Sequence, residues 1–339
     1  MSAFAFFVGV MNSFLFAFRV IGPIILIVGF GYLLKSIGLI HQELIKLTNR
    51  LIFQLLLPIM LFTNVCGIDD TTQVGWIYIL YSAAIILLIF CIALPLSYFL
   101  TSKKECRAPL IQSAYRSNYA LIGIYLAVSL CGAEAGGTAT ILSLISIPLF
   151  NILAVITFSV FESSKKKVNI GKILIEIAKN PLIIGIILGV VVILIKNLLL
   201  GAGLEAFAYD NFVFQVCYEA LQDLAKIATP LALLMLGAQF EFTSTKKWRK
   251  EIIAGVLLRT VIAPIIGIGF AVLFFDFEPK EYASMVGLFC TPVAVSIVPM
   301  AQEMGSDAEF SGQLVVFTTI FSTISIFVFS VLLKAVGAL

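Results

Sequence analysis

Stretches of about 20 consecutive, mostly apolar residues recur along this chain, with little sequence between them. That is the length an α-helix needs to cross the hydrocarbon core of a bilayer. About ten such segments can be marked, at 12–35, 46–65, 74–100, 108–131, 138–161, 180–200, 219–240, 251–275, 281–304 and 309–335. The longest links, 162–179 and 201–218, are too short for a folded soluble domain. Backbone polar groups inside a membrane must be satisfied within the segment, so spans of this kind are helices. The expected fold is an all-α integral membrane protein. The first segment has neither a basic lead-in nor a small-residue cleavage site, so it reads as a retained helix rather than a signal peptide.

Composition supports this reading and removes most others. The 339 residues are 61% hydrophobic and 12% charged, with a mean hydropathy of +1.10. A soluble domain carries about twice that charged fraction. A cytosolic enzyme, a secreted disulfide scaffold and a disordered chain are thereby excluded. Lys and Arg number 22 against 19 Asp and Glu, too even a balance for a nucleic-acid partner. The single histidine, His41, stands in a polar link, which argues against a histidine metal cluster or a Ser-His-Asp triad in the membrane. Six cysteines (66, 91, 106, 131, 217, 290) are scattered without a C-x-x-C pair, and read as small apolar packers. No cofactor is signalled.

Orientation follows from the basic residues in the links. Lys35, Lys46 and Arg50 fall in the first link, and Lys103, Lys104 and Arg107 in the third. Lys165, Lys166, Lys167 and Lys172 fall in the fifth, and Lys246, Lys247, Arg249 and Lys250 in the seventh. The even links hold acids instead: Asp69, Asp70, Glu134, Glu205 and Asp210. The odd links therefore face the cytoplasm, and both termini lie outside.

The two halves resemble each other. Gly132-Ala133-Glu134-Ala135 precedes Gly305-Ser306-Asp307-Ala308 by 173 residues. Pro58-Ile59-Met60-Leu61 recurs as Pro230-Leu231-Ala232-Leu233, and Gly22-Pro23 as Asn180-Pro181. With five helices per half, the second copy enters the membrane from the opposite side. That is an inverted repeat, an architecture common among secondary transporters. The first repeat is 1–161, the cytoplasmic linker 162–179, and the second repeat 180–339.

Segments four and nine are interrupted at matching places. One carries Ser113-Ala114-Tyr115-Arg116-Ser117-Asn118-Tyr119, the other Cys290-Thr291-Pro292-Val293-Ala294-Val295-Ser296 and then Pro299. Proline removes a backbone donor and collides with the preceding turn. Irregular backbone at membrane depth is tolerated where it lines a cavity or is buried in protein. A helix restarting after such a break presents free N–H groups suited to an anion. Paired breaks of this kind point to a substrate site near the midplane.

These motifs resemble the auxin efflux carrier family over essentially the whole chain. The resemblance is carried by Leu47-Thr48-Asn49-Arg50-Leu51 with Leu56-Leu57-Pro58, and by Arg116-Ser117-Asn118 with Ile122-Gly123. Thr229-Pro230-Leu231-Ala232-Leu233 through Gly237-Ala238 adds to it. It implies a scaffold domain and a transport domain, with helices four and nine crossing at their breaks. It also implies outward movement of small organic anions such as auxin, malate or malonate, and a homodimer joined through the scaffold. The short 162–179 linker suits a compact bacterial permease-like member. Tyr119 stands where many relatives have a proline opposite Pro292. The distantly similar bile acid:sodium symporters hold sodium with acids beside their crossing. Here Thr291 and Pro292 occupy that place, with no acid until Glu303, which speaks against sodium coupling.

Asn118 is the first candidate substrate contact, since its amide both donates and accepts; a helix–helix hydrogen bond is the alternative. Ser117 and Thr291 follow, although small hydroxyls also cap freed carbonyls. Tyr119 and Asn151 are candidates to line the cavity, and Pro292 to shape it. Arg116 is the candidate cation for a carboxylate, with snorkelling to the interface as its alternative. Arg259 and Arg19 face the same choice. Asp223 and Lys226 suit a simple i, i+3 ion pair, with proton coupling through Asp223 as the functional alternative. The expected function is alternating-access transport of a small carboxylate in the cytoplasmic membrane. A non-transporting receptor or a channel is the rival; an enzyme would need a nucleophile and base, or paired acids, at depth.

Overall fold

The computed structural model describes residues 25–66, 75–161, 179–201, 212–240 and 246–339, with positions 22, 23 and 175. Arg19, Asp69, Asp70, Glu205, Asp210 and the lysines 165, 166, 167 and 172 lie outside the described residues. Every regular element described is a helix. α1 is Ile25–Ser36. α2 joins Gln42–Leu51, a π-helical turn at Ile52–Leu56, and Leu57–Cys66. α3 is Trp76–Leu100, α4 Lys104–Tyr115, and α5 the π-turn Tyr119–Gly123 continued by Ile124–Cys131. α6 is Ala133–Phe161, α7 Pro181–Gly201 and α8 Phe212–Gln239. α9 covers Lys246–Phe274, and α10 is Pro279–Cys290, α11 Ile297–Glu303 and α12 Ala308–Ala335.

Among the described residues, seven of these stretches are long and apolar enough to cross a membrane: α2, α3, α6, α7, α8, α9 and α12. Segments four and nine of the sequence are instead pairs of shorter helices, α4 with α5 and α10 with α11. The outside of the bundle is apolar, with Phe99 86%, Leu273 75% and Leu198 73% exposed. Such a surface would aggregate in water; hydrocarbon is its solvent. The protein is a multi-pass membrane protein.

Local chemistry sets the helix ends. Asn180 accepts from Leu182 N–H at 2.9 Å, with Pro181 in the first helical position, where its missing donor costs nothing. Glu278 and Glu281 form a reciprocal capping box around Pro279. Asp307 accepts from Phe310 N–H at 2.8 Å to start α12. The second half of each interrupted pair stops beside a left-handed glycine, Gly132 after α5 (φ 83°) and Gly305 after α11 (φ 69°). Only glycine takes that conformation without strain.

Prolines explain two π-turns. Pro58 cannot donate to its preceding turn, and Leu57 N–H reaches back to Ile52 C=O instead. Pro264 likewise leaves Thr260 C=O without its usual helical donor, and Ser325 Oγ on α12 supplies one at 2.7 Å. α2 packs closely on α7: a Cβ at Gly185 would lie 2.5 Å from the Pro58 carbonyl oxygen.

Candidate functional site

The two interruptions meet. α4 ends at Tyr115, Arg116 turns extended (φ −89°, ψ 109°), and α5 resumes at Tyr119. α10 ends at Cys290, Thr291 is extended (φ −73°, ψ 156°), and α11 resumes at Ile297. The unwound strips run antiparallel, with Ser117 and Val293 forming an isolated bridge. Asn118 N–H donates to Pro292 C=O at 2.8 Å. Each break thus supplies part of the bonding the other has lost, as buried backbone requires. Beside them α5 and α10 cross at backbone contact: a Cβ on Gly287 would come within 2.5 Å of Gly123 C=O.

A cavity of about 60 Å³ lies between this crossing and helices α2, α6 and α8. One water needs roughly 10–15 Å³ measured this way, so the space suits a small ligand of a few heavy atoms. Leu57, Met60, Ala228 and Ala232 give it apolar walls. Arg116, Ser117, Asn118, Tyr119, Asn151 and Ser296 bring polarity.

Arg116 is the charge of this site. It is 3% exposed, so it does not snorkel. Nη1 donates to Gln112 Oε1 and Met300 Sδ, each at 2.9 Å. Nη2 donates to Asn151 Oδ1 and Ser296 Oγ, each at 2.8 Å. All four partners are neutral. Asn151 is held in turn by donating to Ile147 C=O at 2.8 Å. Ser117 Oγ and Asn118 Nδ2 are buried with no hydrogen-bond partner. Buried polar groups are ordinarily paired; here two unpaired ones stand beside a cation in the cavity lining.

Five of the seven residues expected from sequence therefore come together: Arg116, Ser117, Asn118, Tyr119 and Asn151. Tyr119 lines the cavity, but its hydroxyl lies towards Tyr78 and Ser284. Thr291 and Pro292 do not reach the cavity wall. Thr291 is fully buried, its hydroxyl turned back to Gly287 C=O at 2.7 Å, while Pro292 contributes its carbonyl to the crossing. Sequence reasoning passed over Gln112 and Ser296. Gln112 sits one helical turn before Arg116, a spacing that could have revealed it; Ser296 was visible only as part of the broken segment. Arg259 is also wholly buried, bonded to main-chain carbonyls. Asp223 and Lys226 form the expected ion pair at 2.8 Å, well exposed.

A bundle of apolar helices with two interrupted pairs crossing beside a small polar cavity defines a membrane transporter fold. The sequence matches the membrane transport protein family over residues 16–330, and the chain belongs to that family, the auxin efflux carrier family. No curated protein sequence matches it. Among solved structures it is similar to the sodium proton antiporter MjNhaP1 of Methanocaldococcus jannaschii, at pH 8. The two share 13% identity with a TM-score of 0.52, over 99% of this chain and 100% of that one. At that identity the likeness is one of fold.

Proposed function

We propose that the protein is a secondary transporter of small carboxylates in the cytoplasmic membrane, working by alternating access around the crossing. The observation that carries this reading is Arg116. A guanidinium buried among neutral partners is an expensive arrangement in a membrane, about 3 kcal/mol or more at the centre of a helix. A bound carboxylate offsets that cost through a charge-assisted, two-pronged contact. Ser117 Oγ and Asn118 Nδ2, at the start of α5, complete the set of donors.

The cavity's position supports the mechanism. It lies where α2 and α8 face the two breaks, so relative movement of these groups would expose it on one side at a time. α1, α2, α7 and α8 form the scaffold in this reading, and the remaining helices move. Asn49 on α2 donates to Gln302 on α11 at 2.8 Å, a contact across the two groups that must break in each cycle. The matched glycines at 132 and 305, each closing the second half of a broken helix, support ten helices in two inverted repeats. On that topology the links with Lys103 and Lys247 face the cytoplasm and both termini lie outside; the family resemblance adds export as the working direction and a homodimer joined through the scaffold.

The test is uptake and efflux of labelled acetate, lactate, malonate and malate in proteoliposomes, with and without a pH gradient. Wild type is compared with Asn118→Ala. Saturable transport that the variant loses, while still inserting and purifying as a folded protein, supports the site. Dependence on the gradient assigns protons as the coupled ion. Wild-type vesicles that move none of these anions would overturn the carboxylate assignment in favour of a different substrate class or a non-transporting receptor.

A further inference from the structure

The crossing contains a second buried cation that the cavity does not use. Arg259 has no exposed surface. It projects from the π-helical turn Leu258–Ile262 of α9, the turn that Pro264 imposes and Ser325 repairs. Nε donates to Thr291 C=O at 2.7 Å, Nη2 to Leu288 C=O at 2.6 Å and Nη1 to Ala114 C=O at 3.3 Å. Ala114 is in the last turn of α4, Leu288 is in the last turn of α10, and Thr291 directly follows α10. One guanidinium therefore bonds the carboxyl ends of both helices that stop at the crossing.

The electrostatics fit that placement. A helix carboxyl end carries about half a negative elementary charge, concentrated on its last carbonyls. α4 and α10 each run for 12 residues, long enough for the effect, and both end inside the protein, away from water. Two such ends sum to about one negative charge, which a single guanidinium matches. The planar fork reaches several carbonyls at fixed angles, which an ammonium point charge cannot.

We infer that Arg259 is a positioning residue: the shared counter-charge of the two terminating helices, pinning the breaks to each other. Neutralised in this way, the carboxyl ends no longer compete for Arg116, whose partners are all uncharged side chains. Arg116 then faces the cavity with its charge available. The pin also holds the Asn118–Pro292 contact in register, because Ala114 lies just before one unwound strip and Thr291 opens the other.

Hydrogen exchange read by mass spectrometry on the full chain in lipid nanodiscs tests this directly. Wild type is compared with Arg259→Lys, which keeps the charge, and Arg259→Leu. In Arg259→Lys, exchange across 114–122 and 288–297 should quicken at least tenfold, while α3 keeps its wild-type protection. Wild-type protection at the crossing in that variant would overturn the inference. So would equal loosening of α3, which marks a general loss of stability rather than release of a pin. Should Arg259→Leu fail to fold, Arg259→Lys decides alone.

A second readout rests on the carboxylate reading. With malonate as probe, KM for Arg259→Lys should rise at least tenfold, and an unchanged KM would count against the claim that the pin sets Arg116. Wild-type vesicles that move none of malonate, acetate, lactate and malate would sink the carboxylate reading, while the exchange result would still judge the pin.

Discussion

Two arginines are buried within the same crossing, and they are held in opposite ways. Arg116 donates only to side chains, all neutral, on four different elements: α4, α6, α11 and the strip before α11. Arg259 donates only to main-chain carbonyls at the ends of two helices. Side-chain partners can swing away and re-form; carbonyls at a helix end move only with the helix. The contrast separates two tasks that a buried cation can perform in a membrane protein. In the proposed reading Arg116 exchanges partners with a ligand, while Arg259 holds backbone in place.

Removing the cavity cation should give the largest effect on activity and leave the fold intact. For Arg116→Leu, transport of the carboxylate that wild type moves should fall by about a hundredfold or more in kcat/KM, as expected when charge-assisted contacts worth about 3 kcal/mol are lost. Its melting temperature should stay near that of wild type; a collapsed melting curve would place Arg116 with Arg259 and erase the contrast.

On the other side of the comparison the damage should be to stability. Gly287→Ala puts a Cβ 2.5 Å from the Gly123 carbonyl oxygen, and backbone cannot yield as a side chain does, so a loss of about 1–3 kcal/mol is expected. Thermal unfolding in detergent checks it. Ser325→Ala removes the donor that satisfies Thr260 C=O beside Arg259, for a loss of about 1–2 kcal/mol. Gln302→Ala breaks the Asn49 contact and should weaken one closed state by about 1 kcal/mol. It would be seen as faster labelling of a cysteine placed in the cavity, with little change in melting. Asp223→Asn is the control: its exposed ion pair should contribute less than about 0.5 kcal/mol, and a large loss of transport there would revive proton coupling through Asp223.

Much of the fold was legible because it depends on local chemistry. Apolar length marked the spans, and proline or polar runs marked where they break. Asn180-Pro181, where segment six opens, marks a helix start that the structure repeats. Part of the candidate site was legible too, since Arg116, Ser117, Asn118 and Tyr119, which line one cavity, are neighbours in the chain. Its remainder was not. Thr291 resembles a ligand contact in sequence, but the direction of its hydroxyl is set by the nearest free carbonyl, that of Gly287, which only the fold reveals. Ser296 and Met300 reach Arg116 because two unwound strips pair antiparallel. Arg259 is the clearest case: a sequence shows a charge in an apolar stretch, while its partners are carbonyls with no side-chain signature.

The contact between Gly123 and Gly287 has a mechanical consequence. Two helices touching backbone to backbone cannot come any closer there, so a tilt of one against the other pivots about the point of contact, a fulcrum. α10 extends eight residues from Gly287 back to Pro279, an arm of about 12 Å at 1.5 Å per residue. A tilt of about 10° about the fulcrum sweeps the far end of that arm by about 2 Å, with almost no displacement at the fulcrum itself. Glycine at these two positions thus keeps displacement between α5 and α10 smallest at their contact and leaves the travel to the helix ends.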